Sequence, residues 1–251
     1  MPENAGEPTT SAHTVLGRPV PMPVRIRRAR AFMASYRVPA GVAQEVIAYS
    51  GLRVIQLPRD RALCTLVFVE YVDGDLGPYH EFGVAFMVRH HTAAEVGGLA
   101  DLRALSGGTA GVFIHRLPVD GEFTLAAGRG IWGFPKELAD FEVEHEGARR
   151  GVLRMDGKLV VDLTVRPGLR TPSRRGAGGA YDAYAHIDGV TRRTPWRMEQ
   201  SGMRARVGGA ELILGDHPLA AELAALELPT RTPLTSTVDR LAMIFHDAAP
   251  V

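Results

Sequence analysis

Along most of the chain, apolar and polar positions alternate in short runs, the pattern of strands with one buried face. Rough alternation runs from Val24 to Val38. Ala62–Val72 (ALCTLVFVEYV) and Tyr79–Arg89 (YHEFGVAFMVR) are denser in apolar residues, with Asp73-Gly74 and Gly77-Pro78 as turn material between them. Gly111–Leu117 predicts a further strand. Phe141–His145, Val152–Met155 and Leu159–Val165 predict a meander with turns at Glu146-Gly147 and Asp156-Gly157, the second a clear hairpin signal. Thr191–Met198, Met203–Val207, Glu211–Leu214 and Val238–Phe245 add strands. Helical patterns are few and short: Ala40–Tyr49 between Pro39 and Gly51, Asp120–Ala127 with Asp120 as cap, and His217–Leu226. This pattern predicts a β-rich α+β fold, a mainly antiparallel sheet curled into a barrel or sandwich.

Two segments fall outside the pattern. Residues 1–24 are rich in Pro, Thr and Gly without a hydrophobic period, and predict a flexible arm ahead of a single domain over 25–251. Residues 167–180 (PGLRTPSRRGAGGA) are too long for a plain connector and predict a flexible loop, functional or disordered. Gly97-Gly98 and Gly107-Gly108 read as turns, and no G-x-G-x-x-G follows a strand, so nucleotide binding has no support.

Composition narrows the function. The chain has 251 residues, 45% of them hydrophobic, enough to fill a core. Its one cysteine, Cys64, makes no intramolecular bridge and no thiolate zinc site, and its apolar strand marks it as core and not nucleophile. A net charge of +1 argues against nucleic acid as a partner. No apolar run reaches membrane-span length and the first residues lack a secretory pattern, so the expectation is a cytoplasmic protein with no membrane partner. His90 and His91 are adjacent and diverge in a strand, while His115 and His145 are isolated, so no metal site is expected.

Of 29 basic residues, only Lys136 and Lys158 are lysines. Lys136 lies in GRGIWGFPKELADF, residues 128–141, after Pro135 and near Trp132 and Phe134. This segment resembles the acetoacetate decarboxylase family, whose Schiff-base lysine sits in a similar Gly-Arg-…-Pro-Lys stretch. YRVP at Tyr36–Pro39 and DLGPYHE at Asp75–Glu81 resemble two further family segments, in the same order and spacing.

The resemblance implies a barrel-like fold, Lys136 as the amine that forms the Schiff base, and Glu81 as an acid/base. It also implies a small keto-acid substrate, no metal or organic cofactor, and a homo-oligomer. An arginine on the first long strand would meet the substrate carboxylate; counting back from Tyr36 gives Ala29, so the candidates are Arg30 or Arg28 after a one-residue slip. Tyr79, Trp132 and Phe134 would line the pocket, with Ile131 as a further wall. The physics of such a lysine is general. At an ordinary pKa of about 10.4, about one amine in 2,500 is neutral at pH 7. Making half of them neutral takes about 4.6 kcal/mol against the ammonium form, which burial among apolar groups can supply.

Two positions depart from the family pattern. Glu137 stands where family decarboxylases have a second lysine, and Gly130 where they often have glutamate. A carboxylate facing the amine would favour the ammonium form, unless extended geometry turns it to the opposite face. Simple decarboxylation of a β-keto acid therefore competes with an aldolase-dehydratase or cyclase of a natural-product pathway using the same lysine. A non-catalytic ligand-binding homologue is the alternative from another class. Glu70, also within an apolar strand, is a further carboxylate without a clean family match.

Overall fold

The computed structural model describes residues 12–93, 101, 103–104, 109–171 and 178–251. The first part of the chain forms β1 (Ala12–Val15), β2 (Arg18–Pro21), β3 (Val24–Pro39), α1 (Ala40–Ile47), β4 (Arg61–Gly74), β5 (Tyr79–Val88) and β6 (Gly111–Val119). Then come α2 (Glu122–Ala127), β7 (Lys136–Leu138), β8 (Asp140–Glu144), β9 (Arg149–Met155), β10 (Lys158–Val165) and β11 (Leu169–Arg170). The last part gives β12 (Gly178–Ile187), β13 (Val190–Ser201), β14 (Arg204–Arg206), β15 (Ala210–Leu214), α3 (Pro218–Ala225), β16 (Leu234–Phe245) and β17 (Ala249–Pro250).

Seven strands close a barrel in the order β3-β4-β5-β6-β12-β13-β16, with β16 pairing both β13 and β3. All neighbours are antiparallel except β6 and β12. The second edge of β6 is shared: β12 takes Val112 and Phe113, and β7 takes Leu117–Val119, also in parallel. A smaller sheet, β15-β10-β9-β8, lies outside the barrel wall. This arrangement explains the almost continuous apolar run of β4. Its side chains alternate between two dry surroundings. Leu66 and Phe68 join Leu153 and Leu163 of the smaller sheet in one core, whereas Val67, Val69 and Tyr71 turn into the barrel. The sheets touch closely at Gly151, where a Cβ would come within 2.7 Å of the Phe68 ring.

Several sequence expectations are revised. Residues 12–21 are not a flexible arm but the β1–β2 hairpin, which buries Val15 and Val20; its strands are too short, and too rich in proline, to show a period. Residues 1–11 lie outside the described residues. Within the expected loop 167–180, Leu169–Arg170 pairs with β14 and Gly178 begins β12, while residues 172–177 lie outside the description. The sequence pattern missed β12 because two of its inward positions, Ala183 and Ala185, are alanines. Asp120 does not cap α2, which starts after Gly121; its carboxylate instead accepts the His80 backbone N–H at 2.7 Å. Asp73 and Gly74 stay within β4, so the turn falls later. Gly97-Gly98 and Gly107-Gly108 lie outside the described residues. Among those described, no helix is long and apolar enough to cross a membrane.

Candidate active site

The strand register brings the candidate residues together. Tyr71 on β4 is opposite Tyr79 on β5, Glu81 is opposite Val119 on β6, and Leu117 is beside Lys136 on β7. The chain reaches β7 through a sharp return. Helix α2 runs into a π-helical turn over Gly128–Trp132, and Gly133 ends it at φ +69°, a conformation glycine adopts without strain. The Lys136 side chain then lies across Gly128, where a Cβ would stand 2.5 Å from Cδ and 2.7 Å from Cε.

Lys136 is 2% exposed and Glu81 8%. The lysine Nζ donates to Oγ1 of Thr124 at 2.8 Å, lies 3.0 Å from Oε2 of Glu81, and sits 4.7 Å from the Tyr79 ring centroid. The Tyr71 hydroxyl donates to Oε1 of Glu81 at 2.8 Å. Tyr71 and Tyr79 stack with centroids 4.1 Å apart. Burial drives the Lys136 amine below its ordinary pKa; Glu81 pulls it upward and is outweighed. Burial, with the Glu81 charge beside them, pushes both tyrosine hydroxyls well above theirs. Two buried charges this close are costly to keep, and here the cost falls on the ammonium form of Lys136.

These groups stand at one end of a cavity of about 350 Å³ inside the barrel. Lys136, Glu81, Tyr79, Trp132 and Phe134, all singled out in the sequence, line it. Trp132 is pinned by a hydrogen bond from Nε1 to the His246 carbonyl at 2.9 Å. Ile131 is buried but is not part of the lining.

Arg28 and Arg30 do not reach the cavity. A bulge at Arg28 shifts the β3 register without turning an arginine inward. Arg28 is exposed, and Arg30 pairs with Glu70 at 3.0 Å outside the barrel, while Ala31 takes the inward position. Glu70 in turn lies 2.9 Å from His145, which places it too away from the lysine. Glu137 lies 3.7 Å from Arg116 with its side chain 45% exposed, on the other side of β7 from the amine. Thr124, Gly128 and Tyr71 were missed. Gly128 and Tyr71 lie inside segments already quoted, Gly128 opening GRGIWGFPKELADF and Tyr71 within the strand Ala62–Val72, whereas nothing in the sequence around Thr124 marks it. Among the described residues, no group of three or more His, Cys, Asp or Glu side chains is placed to hold a metal ion.

The closed barrel is the fold of acetoacetate decarboxylase-like proteins. The chain belongs to the acetoacetate decarboxylase (ADC) family, whose sequence profile matches residues 6–247. Over 40 residues it is 42% identical to acetoacetate decarboxylase 3 of Mesorhizobium japonicum, a match spanning 16% of each chain. The acetoacetate decarboxylase of Legionella pneumophila superposes with a TM-score of 0.65 at 18% identity, over 100% of this chain and 92% of that one. The enduracididine biosynthesis enzyme MppR, in its complex with pyruvate, gives 0.59 at 16% identity, over 92% of this chain and 91% of that one. An acetoacetate decarboxylase-like enzyme from Sphingomonas wittichii RW1 gives 0.59 at 16%, over 96% and 100%.

Proposed function

We propose that the protein is a Schiff-base-forming lyase that decarboxylates a β-keto acid through Lys136. The observation that carries this reading is the Lys136 amine, buried in an apolar cavity and depressed in pKa, with a carboxylate 3.0 Å away. Glu81 takes the proton from Nζ. The neutral amine adds to the ketone carbon, the carbon–oxygen bond breaks, and water leaves to give an iminium ion. The bond to the carboxylate carbon then breaks, CO₂ departs, and the electron pair moves through the enamine to nitrogen. The proton that Glu81 took from Nζ leaves with the departing water, so Glu81 takes a second proton from solvent and delivers it to the enamine carbon. Water then adds to the iminium carbon and expels the amine. Metal ions and organic cofactors have no part in this scheme.

A second reading keeps the first steps and lets the enamine of one keto acid attack an aldehyde. Two observations favour it: Glu137 replaces a lysine next to Lys136, and a structural neighbour was captured with the condensation product of pyruvate and imidazole 4-carboxaldehyde. Borohydride reduction in the presence of acetoacetate or pyruvate tests the shared chemistry. The expected result is a mass adduct on Lys136 that is lost in Lys136→Ala; no adduct with any keto acid overturns both readings and favours a binding protein. CO₂ release from acetoacetate, against bond formation between pyruvate and an aldehyde, then divides the two enzymes.

A further inference from the structure

The cavity around Lys136 is larger and more apolar than a short keto acid requires. Among the described residues lining it, the charged side chains are Lys136 and Glu81, both at one end. The polar end of a substrate is therefore confined there. Beyond it the walls are mostly apolar, set by Val67 and Val69 of β4, Ile114 and Leu117 of β6, and Leu241 and Phe245 of β16, with Thr65 and Gln200 as uncharged polar exceptions. At the roughly 30 Å³ that one water occupies in the liquid, a cavity of about 350 Å³ holds about a dozen non-hydrogen atoms. Acetoacetate has seven.

The space comes from small residues facing inward: Ala31, Ala85 and Ala183 all line it, while Gly83 is closely covered by Val67 and Leu117. Gly83 and Ala85 follow Glu81 on the same face of β5, at a strand rise of about 3.3 Å per residue, so the cavity deepens along that strand away from the lysine. Five of the eight methionines, Met33, Met87, Met198, Met203 and Met243, also line it. Flexible, polarizable thioethers adapt to apolar ligands of varied shape and offer nothing to an anion.

We propose that the carbonyl compound captured by Lys136 carries a medium-length alkyl or arylalkyl tail that extends along β5 past Gly83 to Ala85. The proposal rests on the Schiff-base reading for the reacting end and on the cavity alone for the tail. Its test is a homologous series, 3-oxobutanoate, 3-oxohexanoate, 3-oxooctanoate and 3-oxo-5-phenylpentanoate, with CO₂ release and borohydride trapping measured in parallel. Tail binding is measured separately with the stable methyl ketones. The only two tryptophans, Trp132 and Trp196, both line the cavity and report occupancy by quenching.

The expected result is a kcat/KM that rises about fourfold per added methylene until the cavity is full. Ala85→Leu should move the optimum to shorter tails. Trapping on Lys136 with kcat/KM flat or falling along the series overturns the tail and keeps the lyase. Quenching that strengthens with tail length, without any adduct, keeps the tail and overturns the lyase. Neither adduct nor quenching overturns both.

Discussion

Nζ of Lys136 lies 3.0 Å from Oε2 of Glu81, and both residues are buried in the barrel. The two environments acting on the amine oppose each other: burial lowers its pKa and the carboxylate raises it. The neutral, reactive form exists above that pKa. The labelling rate of Lys136 by an amine-reactive reagent should therefore rise with pH through a midpoint below the ordinary lysine value of about 10.4. Glu81→Gln removes the charge that pulls the amine upward, so the midpoint should fall further. Peptide mass mapping across pH measures both, and an upward move in Glu81→Gln would refute this account of the pair.

Gly128→Ala isolates the packing of the lysine stem. Gly128 has φ −61°, a helical backbone in which alanine is normally preferred. Its Cβ would nevertheless collide with Cδ and Cε of Lys136. Overpacking of this kind costs about 1–3 kcal/mol, and the displaced amine should form a Schiff base at least about tenfold more slowly. Thermal melts and borohydride trapping read the two effects; a stabilised, fully reactive variant would show that the lysine has another route.

Glu137 departs from the family pattern yet faces Arg116 at 3.7 Å and is 45% exposed. Exposed pairs of this kind contribute about 0–1 kcal/mol. Glu137→Gln should leave the midpoint of Lys136 labelling in place and change stability by less than about 1 kcal/mol. A displaced midpoint would mean that this carboxylate does act on the amine.

Helix α3 is docked to the barrel by Glu222, which meets Nε2 of His115 at 2.8 Å and Arg116 at 2.6 Å. Burial raises the carboxyl, but these hydrogen bonds outweigh it and bring it from 4.5 down to about 2. The folded pKa is depressed, so this contribution is complete above the unfolded value and lost as pH falls through the folded one. Wild type should exceed Glu222→Gln in stability by roughly 2 kcal/mol at pH 7, with the difference closing between about pH 5 and pH 2. Melting curves across that range would contradict the assignment if the difference were independent of pH.

Strands whose inward and outward sides differ in polarity could be read from sequence, as could β4 and β5, whose apolar density comes from burial on both faces. β12 could not, because alanines give little hydrophobic signal even when they are fully buried. The hairpin β1–β2 was hidden for a different reason, its four-residue strands being shorter than any detectable period. At the site, Lys136 stood out as one of two lysines, in a segment resembling the family's Pro-Lys stretch, and Glu81 as the carboxylate of DLGPYHE at the start of an apolar strand. Arg30 stood out equally, but a bulge in β3 decides which face it occupies, and bulges leave no mark on a short alternating run. Thr124 was silent because its contact depends on how α2 folds back over β7, a tertiary relationship.

Strand β16 is the stave that completes the ring, joining β13 to β3 across most of the chain's length. During translation, Lys136 is made about a hundred residues before that stave emerges, and until then water reaches its amine from the open side. The depressed pKa of Lys136 is thus a property of the finished ring, because burial is its cause.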